Sequence, residues 1–490
     1  MHSTSSFPPF SAFPSAYWAE QDSQNSQASS TSWALIWERG SSSELSSFFS
    51  ALPDRFSWSE FHQLLKQTSH FLRSLGVKPN QIIAYSGNQR FLALLCYCAT
   101  VSLGARILML NPALKSSQLP QILQDNAVDL CVTDEHFLQL ESHSLLVNDL
   151  APLDFAQPAT FTLTSGSSGK PKAVVHSIQN HLENAMGVCE LMDFRRCDSW
   201  LLSLPLFHVS GQGIVWRWLL TGATLVINEE KSTFWQSVQN VSHASLVPTQ
   251  LQRYLATKPV LTRSQHILLG GSFIPPELVQ HAQDVGITTY VGYGMTECAS
   301  TICAVKNEVD NAGKPLNGRE VKIDPVTHEI WVKGAGLALG YWLNGELSPI
   351  TNSQGWLQTK DRGQWNSQGQ LVVRGRLDNM FISGGENIQP EDIEATLMRS
   401  NLLENVMVVP VEDAEFGQRP VAFVAFQDKD TVQAGRSLAI FAQAELEKFK
   451  QPIAYLPLDV ERYQRDGIKI SRAQLQRDVL DLLGKQQKND

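Results

Sequence analysis

Phe161-Thr162-Leu163-Thr164-Ser165-Gly166-Ser167-Ser168-Gly169-Lys170-Pro171-Lys172 is the stretch on which the fold turns. An apolar strand start at Phe161 runs into a loop that concentrates hydroxyls, glycines and two lysines. Glycine lets a backbone approach a phosphate closely, hydroxyls donate hydrogen bonds to it, and lysine adds charge. The spacing is not the Walker pattern, which places four residues between its first glycine and Gly-Lys-Ser/Thr. Pro171 also forbids a smooth helix start directly after Lys170. A flexible Ser/Gly linker is the alternative, and the strand-like runs on both sides speak against it.

Outward from this loop, strand and helix patterns alternate. Ser57-Trp-Ser-Glu60 has the form of a capping box, with apolar residues at helical spacing through Leu72. Gln81–Ser86 reads as a strand, Gln89–Leu103 as a helix and Ile107–Leu110 as a strand. The alternation continues to about residue 300, which predicts an α/β fold with largely parallel, doubly wound sheets. From about 318, Asn344-Gly, Gln354-Gly and Gln368-Gly crowd together, the mark of a small β-rich subdomain. Beyond Asp378 the pattern is a compact α+β segment. It has a helix from Pro390, strands near Val406–Val411 and Val421–Phe426, a helix around Ser437–Lys450, a strand near Tyr455–Val460 and a helix from Ser471. The expected organisation is a loose arm over 1–30, partly docked through Phe10, Phe13 and Trp18, a large N-terminal domain over 31–377, and a small mobile C-terminal domain over 378–490.

Composition narrows the classes of function. A net charge of −9 with no long basic block argues against nucleic-acid binding, which needs clustered positive charge. Seven cysteines are too sparse in 490 residues for a disulfide framework, and Cys96-x-Cys98 sits in an apolar run, as core thiols do. The apolar stretch Phe91–Ala105 is too short for a membrane span, and the N-terminus lacks the charged and apolar regions of a secretory signal. A reducing cytoplasm is the expected location. Association into a homo-oligomer is left open.

Further clusters carry chemistry, each with a plainer alternative. In Tyr293-Gly294-Met295-Thr296-Glu297, Thr296 can donate to a phosphate oxygen and Glu297 is a hard ligand suited to Mg²⁺; taken alone, an exposed turn accounts for it. Asp361-Arg362 offers a carboxylate that could accept both ribose hydroxyls, or could form a surface ion pair. Arg374-Gly-Arg376-Leu-Asp378, followed by Ser383-Gly-Gly-Glu-Asn387, has the charged, glycine-rich character of a hinge. Lys469, in Gly467-Ile-Lys-Ile-Ser471, could be carried into a site on a loop or could snorkel at the surface. Arg217 lies between Trp216 and Trp218 on an apolar helix. A buried guanidinium needs an anion, either an internal carboxylate or a carboxylate of the substrate. His208 could stack on an aromatic substrate or sit hydrogen-bonded in the core.

The order and spacing of these elements, over about residues 33–480, resemble the adenylate-forming superfamily of acyl-CoA synthetases, luciferase-like enzymes and peptide-synthetase adenylation domains. The resemblance implies an ATP-dependent, Mg²⁺-requiring, AMP-forming ligase that joins a carboxylic acid to CoA. It implies a phosphate loop of Thr164, Ser165, Gly166, Ser167, Gly169 and Lys172. It places Tyr293, Gly294 and Thr296 at the adenine and α-phosphate, with Glu297 on Mg²⁺. Asp361 would hold the ribose with Arg376 nearby, Asp378 would be the hinge and Lys469 the adenylation lysine. Lys360 departs from the family, which usually has glycine before the ribose aspartate. His208-Val-Ser-Gly-Gln-Gly213, Trp216-Arg-Trp218, Ser245-Leu-Val-Pro-Thr-Gln250, Leu269-Gly-Gly271 and Gly467-Ile-Lys-Ile-Ser-Arg472 are similar to one branch of that superfamily. That branch activates an aromatic dicarboxylic acid at its succinyl carboxylate and leaves the ring carboxylate intact. This implies Arg217 for the second charge, with His208, Ser245 and Gly271 lining the pocket. Another aryl or short-chain acid–CoA ligase, or a non-catalytic adenylate-binding regulator, are the competing readings.

Overall fold

A computed structural model describes residues 8–24, 33–40, 47–140, 152–164, 171–271, 274–413, 415–428, 430–463 and 470–486. Two large sheets form the main body, as the alternating pattern predicts. In the seven-stranded sheet, Leu130–Thr133, Ile82–Ser86, Arg106–Met109 and Pro158–Thr164 run parallel, with Lys172–Ser177 added antiparallel. The nine-stranded sheet has Thr224–Asn228, Ser199–Leu201, His243–Leu246, Gln265–Leu269 and Ile287–Met295 in parallel, and Ser300–Lys306 turned back on the last of them.

Helices Trp58–Ser74, Arg90–Ser102, Ile178–Met192 and Val209–Thr221 supply the principal core, where Trp58, Tyr97, Trp216 and Trp218 are fully buried. The first starts with the expected capping box: Ser57 accepts from the Glu60 amide, and the Glu60 carboxylate accepts from the Ser57 amide at 2.7 Å. Two backbone donors that a helix start leaves orphaned are thereby satisfied.

Residues 8–24 of the expected arm dock onto the body, as Phe10, Phe13 and Trp18 suggested. Pro14–Gln24 is a helix, Phe13 is fully buried, and the Trp18 indole donates to the Leu219 carbonyl at 2.8 Å. Its docking depends on Gly222, which has φ +66° and where a Cβ would stand 2.6 Å from the Trp18 ring. Only glycine meets both demands without strain.

The β-rich subdomain is the four-stranded antiparallel sheet of Arg319–Ile323, Glu329–Gly334, Leu357–Trp365 and Leu371–Arg376. Gly340–Leu343 leaves it to pair antiparallel with Lys172–Ser177. Beyond residue 378, the hairpin of Leu403–Asp413 and Gly417–Phe426 anchors a second, smaller domain, with Tyr455–Pro457 parallel to the latter strand. The helix expected around Ser437–Lys450 begins earlier, spanning Thr431–Glu445, because Asp430 caps it by accepting from the Gln433 amide at 3.1 Å. All seven cysteines are unpaired, and Cys96 and Cys98 are buried. Among the described residues, no helix is long and apolar enough to cross a membrane.

Candidate active site

The expected phosphate loop lies between two paired strands. Thr164 faces Lys172 where Pro158–Thr164 and Lys172–Ser177 meet, and the Thr164 hydroxyl donates to the Lys172 carbonyl at 3.3 Å. The expectations on Ser165, Gly166, Ser167 and Gly169, and on Lys469, lie outside the described residues. The Lys172 ammonium stands 5.5 Å from the centre of the Tyr341 ring. The hydroxyl of the same tyrosine donates to the Glu297 carboxylate at 2.8 Å. Burial and that carboxylate together push the Tyr341 phenol up. Tyr341 thus joins the lysine of one motif to the acid of another. Sequence reasoning missed it. The only local signal was a Gly340-Tyr-Trp342 run among turn residues, and its partner strand lies some 165 residues earlier.

A second chain of contacts starts at Tyr293. Its hydroxyl donates to Asp361 Oδ2 at 2.6 Å, and Arg376 Nη1 donates to Asp361 Oδ1 at 3.2 Å. The same guanidinium grips Asp378 with two bonds, Nε to Oδ1 at 2.8 Å and Nη2 to Oδ2 at 3.0 Å. This bidentate geometry holds the Asp378 carboxyl below its ordinary range. Tyr293, Asp361, Arg376 and Asp378, named separately from sequence, are one hydrogen-bonded chain that ends where the smaller domain begins. Asp361 is mostly buried, and its own amide donates to the Thr359 hydroxyl. Lys360 takes φ +61°, the left-handed conformation for which the family's glycine is suited. Its amide donates to Glu329 at 2.8 Å, so the turn keeps its shape with lysine in place.

Gly294 and Thr296 lie at the end of strand Ile287–Met295 and the short 3-10 turn after it. A Cβ on Gly294 would fall 2.1 Å from the Ser300 carbonyl, so no larger residue fits there without moving the backbone.

Two of the acid-binding candidates, His208 and Arg217, lie at the start of and within the helix Val209–Thr221. Arg217 is 1% exposed, yet no described carboxylate pairs with it. Among the described residues its guanidinium hydrogen-bonds the Ser300 hydroxyl, at 3.5 Å, and stands over the Trp200 ring, at 5.0 Å, while its Nε and Nη1 have no hydrogen-bond partner. Burial, with Arg319 adding to it, pushes the guanidinium down to about 10. The internal ion pair that the sequence left open is therefore not formed among the described residues. Ser245 is likewise buried with an unpartnered hydroxyl. His208 is half-buried at the helix N-cap with its ring 4.7 Å from Phe207. Gly271 is exposed at φ +94° just past strand Gln265–Leu269, and no described hydrogen bond joins it or Ser245 to Arg217.

Mg²⁺ is the one metal these motifs imply. No group of three or more metal-ligating side chains occurs among the described residues. A lone carboxylate at Glu297, oriented by Tyr341, still suits Mg²⁺, which commonly takes one or two carboxylates with the rest of its shell from water and substrate phosphates.

Known proteins resemble this chain along most of its length. Residues 44–342 match the family model for AMP-binding enzymes. The 2-succinylbenzoate–CoA ligase of Haemophilus influenzae is 49% identical over 86% of this chain and 92% of its own length. A variant of Escherichia coli MenE with bound OSB-AMS superposes with a TM-score of 0.82 at 35% identity, covering 96% of this chain and 98% of that one. The o-succinylbenzoate CoA synthetase MenE of Bacillus subtilis, in complex with the acyl-adenylate intermediate OSB-AMP, gives 0.80 at 25% identity, covering 94% of this chain and 97% of that one.

Proposed function

The chain belongs to the AMP-binding enzyme family, and from that premise we propose that it is a 2-succinylbenzoate–CoA ligase, an AMP-forming enzyme of menaquinone biosynthesis that works in the cytoplasm. One observation carries the choice of acid: Arg217 is fully buried beside the Trp200 ring with its charge unmatched by any described carboxylate. A substrate with a second carboxylate supplies the missing anion, and the unpartnered Ser245 hydroxyl supplies a further donor. His208 and Gly271 complete the lining.

In the first half-reaction a succinyl carboxylate oxygen attacks the α-phosphorus of ATP. The bond from α-phosphorus to the bridging oxygen breaks, and pyrophosphate leaves. Two anions must meet, so the site has to neutralise charge that builds on the phosphate. Thr164, Ser165, Gly166, Ser167, Gly169 and Lys172 cradle the phosphates, Thr296 donates to the α-phosphate, and Lys469 stabilises the attacking geometry. Mg²⁺, on Glu297, supplies charge neutralisation when bound. Tyr293 and Gly294 line the adenine, and Asp361 and Arg376 hold the ribose.

In the second half-reaction the CoA sulfur attacks the acyl carbon, AMP leaves with the carbonyl–phosphate bond electrons, and the thiol proton passes to solvent. The boundary at 378 and the Arg376–Asp378 grip suit a hinge there, which carries Lys469 away and brings residues 384–387 towards the thiol.

Mass spectrometry of a reaction with 2-succinylbenzoate, ATP, Mg²⁺ and CoA tests the reading. The expected products are 2-succinylbenzoyl-CoA, AMP and diphosphate. Thioester formation with other aryl or short-chain acids but not with this one would reject the substrate and keep the reaction class.

A further inference from the structure

The turn that links Glu297 to the acid pocket is backbone that side chains rarely adopt. Ala299 has φ +54° and Ser300 φ +126°, two consecutive non-glycine residues on the unfavourable side. Such positions persist only where the surroundings over-determine them. Here they are spanned by one side chain. Asn184 is 1% exposed on helix Ile178–Met192, and its Nδ2 donates to the Cys298 carbonyl at 2.7 Å and to the Thr301 carbonyl at 3.0 Å. The two acceptors flank the strained pair. Turning the amide over would set Oδ1 against two carbonyl oxygens, so the orientation is fixed by chemistry, even though Oδ1 is left without a partner. Asn184 is itself anchored, since its carbonyl accepts from Arg319 at 2.7 Å. Its helix follows directly on the strand that begins at Lys172, with Ser177 as N-cap.

The clamped turn holds both halves of the substrate site. Glu297 lies at its start, with its carbonyl fixed by the Ala338 amide at 2.8 Å, and the Ser300 hydroxyl is the hydrogen-bond contact of Arg217. We propose that Asn184 is a positioning residue: its two donors hold the 298–301 turn in left-handed form, and so set Glu297 and the Ser300–Arg217 contact relative to one another. The inference rests on the ligase reading above and deepens it. It makes acid recognition and Mg²⁺ dependence two outputs of one side chain that touches neither ligand.

The test uses full-length protein and acid-dependent pyrophosphate exchange with 2-succinylbenzoate, with CoA-dependent thioester formation and thermal melting measured alongside. In Asn184→Leu, which removes both donors, the acid KM and the Mg²⁺ half-saturation should each rise about tenfold or more, while the CoA KM stays within about twofold. Adding Ala299→Gly, which favours the left-handed backbone without the clamp, should recover a substantial part of both losses. Recovery of that kind separates positioning from packing, because glycine at a buried site adds no contact. If Asn184→Leu does not fold, Asn184→Ser, smaller and retaining one donor, is read by the same two constants. The proposal is overturned if the acid and Mg²⁺ constants stay at wild-type values, or if they move and Ala299→Gly restores neither. Wild-type protein that shows exchange with no acid would instead overturn the ligase reading.

Discussion

Arg217 and Arg472 are both buried guanidiniums, and the protein treats them in opposite ways. Arg472, at the start of the last helix, donates to Glu394 at 2.7 and 3.0 Å, to Glu391 at 3.4 Å and to the Val408 carbonyl. Burial works against its charge, but the two glutamates more than offset that and hold the group above its ordinary value. Arg217 has a hydroxyl, a ring and no acid, and its pKa falls. In the smaller domain a buried charge is neutralised from within. In the larger domain no described carboxylate neutralises Arg217, and under the proposed function the substrate supplies that charge. Unpaired burial is tolerated where a substrate will end it.

The strongest way to break the contrast is to remove the paired arginine. Arg472→Ala leaves Glu394 buried beside no cation, and losing one member of a buried pair costs about 3–5 kcal/mol. Chemical denaturation should show the loss directly, with hydrogen exchange confining it to the sheet of 403–457. If stability holds within about 1 kcal/mol, the pair does not hold the smaller domain together. Arg217→Met should do the reverse. It removes an unmatched charge, so stability should hold or rise. The KM for 2-succinylbenzoate should climb by about 10–150-fold, the worth of a charge-assisted hydrogen bond of about 1.5–3 kcal/mol. An unchanged KM with lowered stability would make Arg217 structural and dissolve the comparison.

Acid sharpens the same difference. All twelve histidines lie at or before His328, so the smaller domain has none. Burial pushes His176 down to about 3 and His243 down to about 4. Their folded pKa values lie below the unfolded value near 6.5, so the folded chain binds fewer protons than the unfolded chain between these limits. Stability is therefore full above about pH 6.5 and falls as pH drops towards 4. Hydrogen exchange at pH 7 and pH 5, corrected for intrinsic rates, should show protection lost in 172–192 and 243–269 and retained in 403–457. Equal loss in both domains would mean that the buried histidines are not its cause.

Much of this was legible in the chain, and the parts that were not share a cause. Helix starts such as Ser57 and strand-helix alternation are local patterns, and the structure follows them. The residues of the Tyr293, Asp361, Arg376 and Asp378 chain were each visible as chemistry, but their linkage needed the antiparallel register that sets Asp361 opposite Arg376. Tyr341 was invisible because a period-two pattern says nothing about which distant strand it will join. Arg217 was found as a buried charge, yet whether an acid stood beside it is a fact of packing. The early start of helix Thr431–Glu445 was obscured by Gly435, which lowers local helix propensity while the Asp430 cap raises it.

The backbone repeats the contrast on a smaller scale. Beyond residue 378, the one described non-glycine residue in left-handed conformation is Asn401, a type that tolerates it; near the nucleotide motifs Ala299, Ser300 and Lys360 all adopt it. Lys360 is the simplest to relieve, because it is exposed and its amide is held by Glu329. Lys360→Gly keeps that amide and removes the Cβ conflict, against the extra freedom that glycine has in the unfolded chain. The net gain should be about 1 kcal/mol, seen as a raised denaturation midpoint. Its charge also helps to keep the Asp378 carboxyl low, so the substitution should let that group rise slightly while it eases the turn. A gain in stability with the ATP KM unchanged would show that the turn carries its strain independently of the ribose contact. A loss of stability would show that the lysine, and not the backbone conformation, is what this position selects.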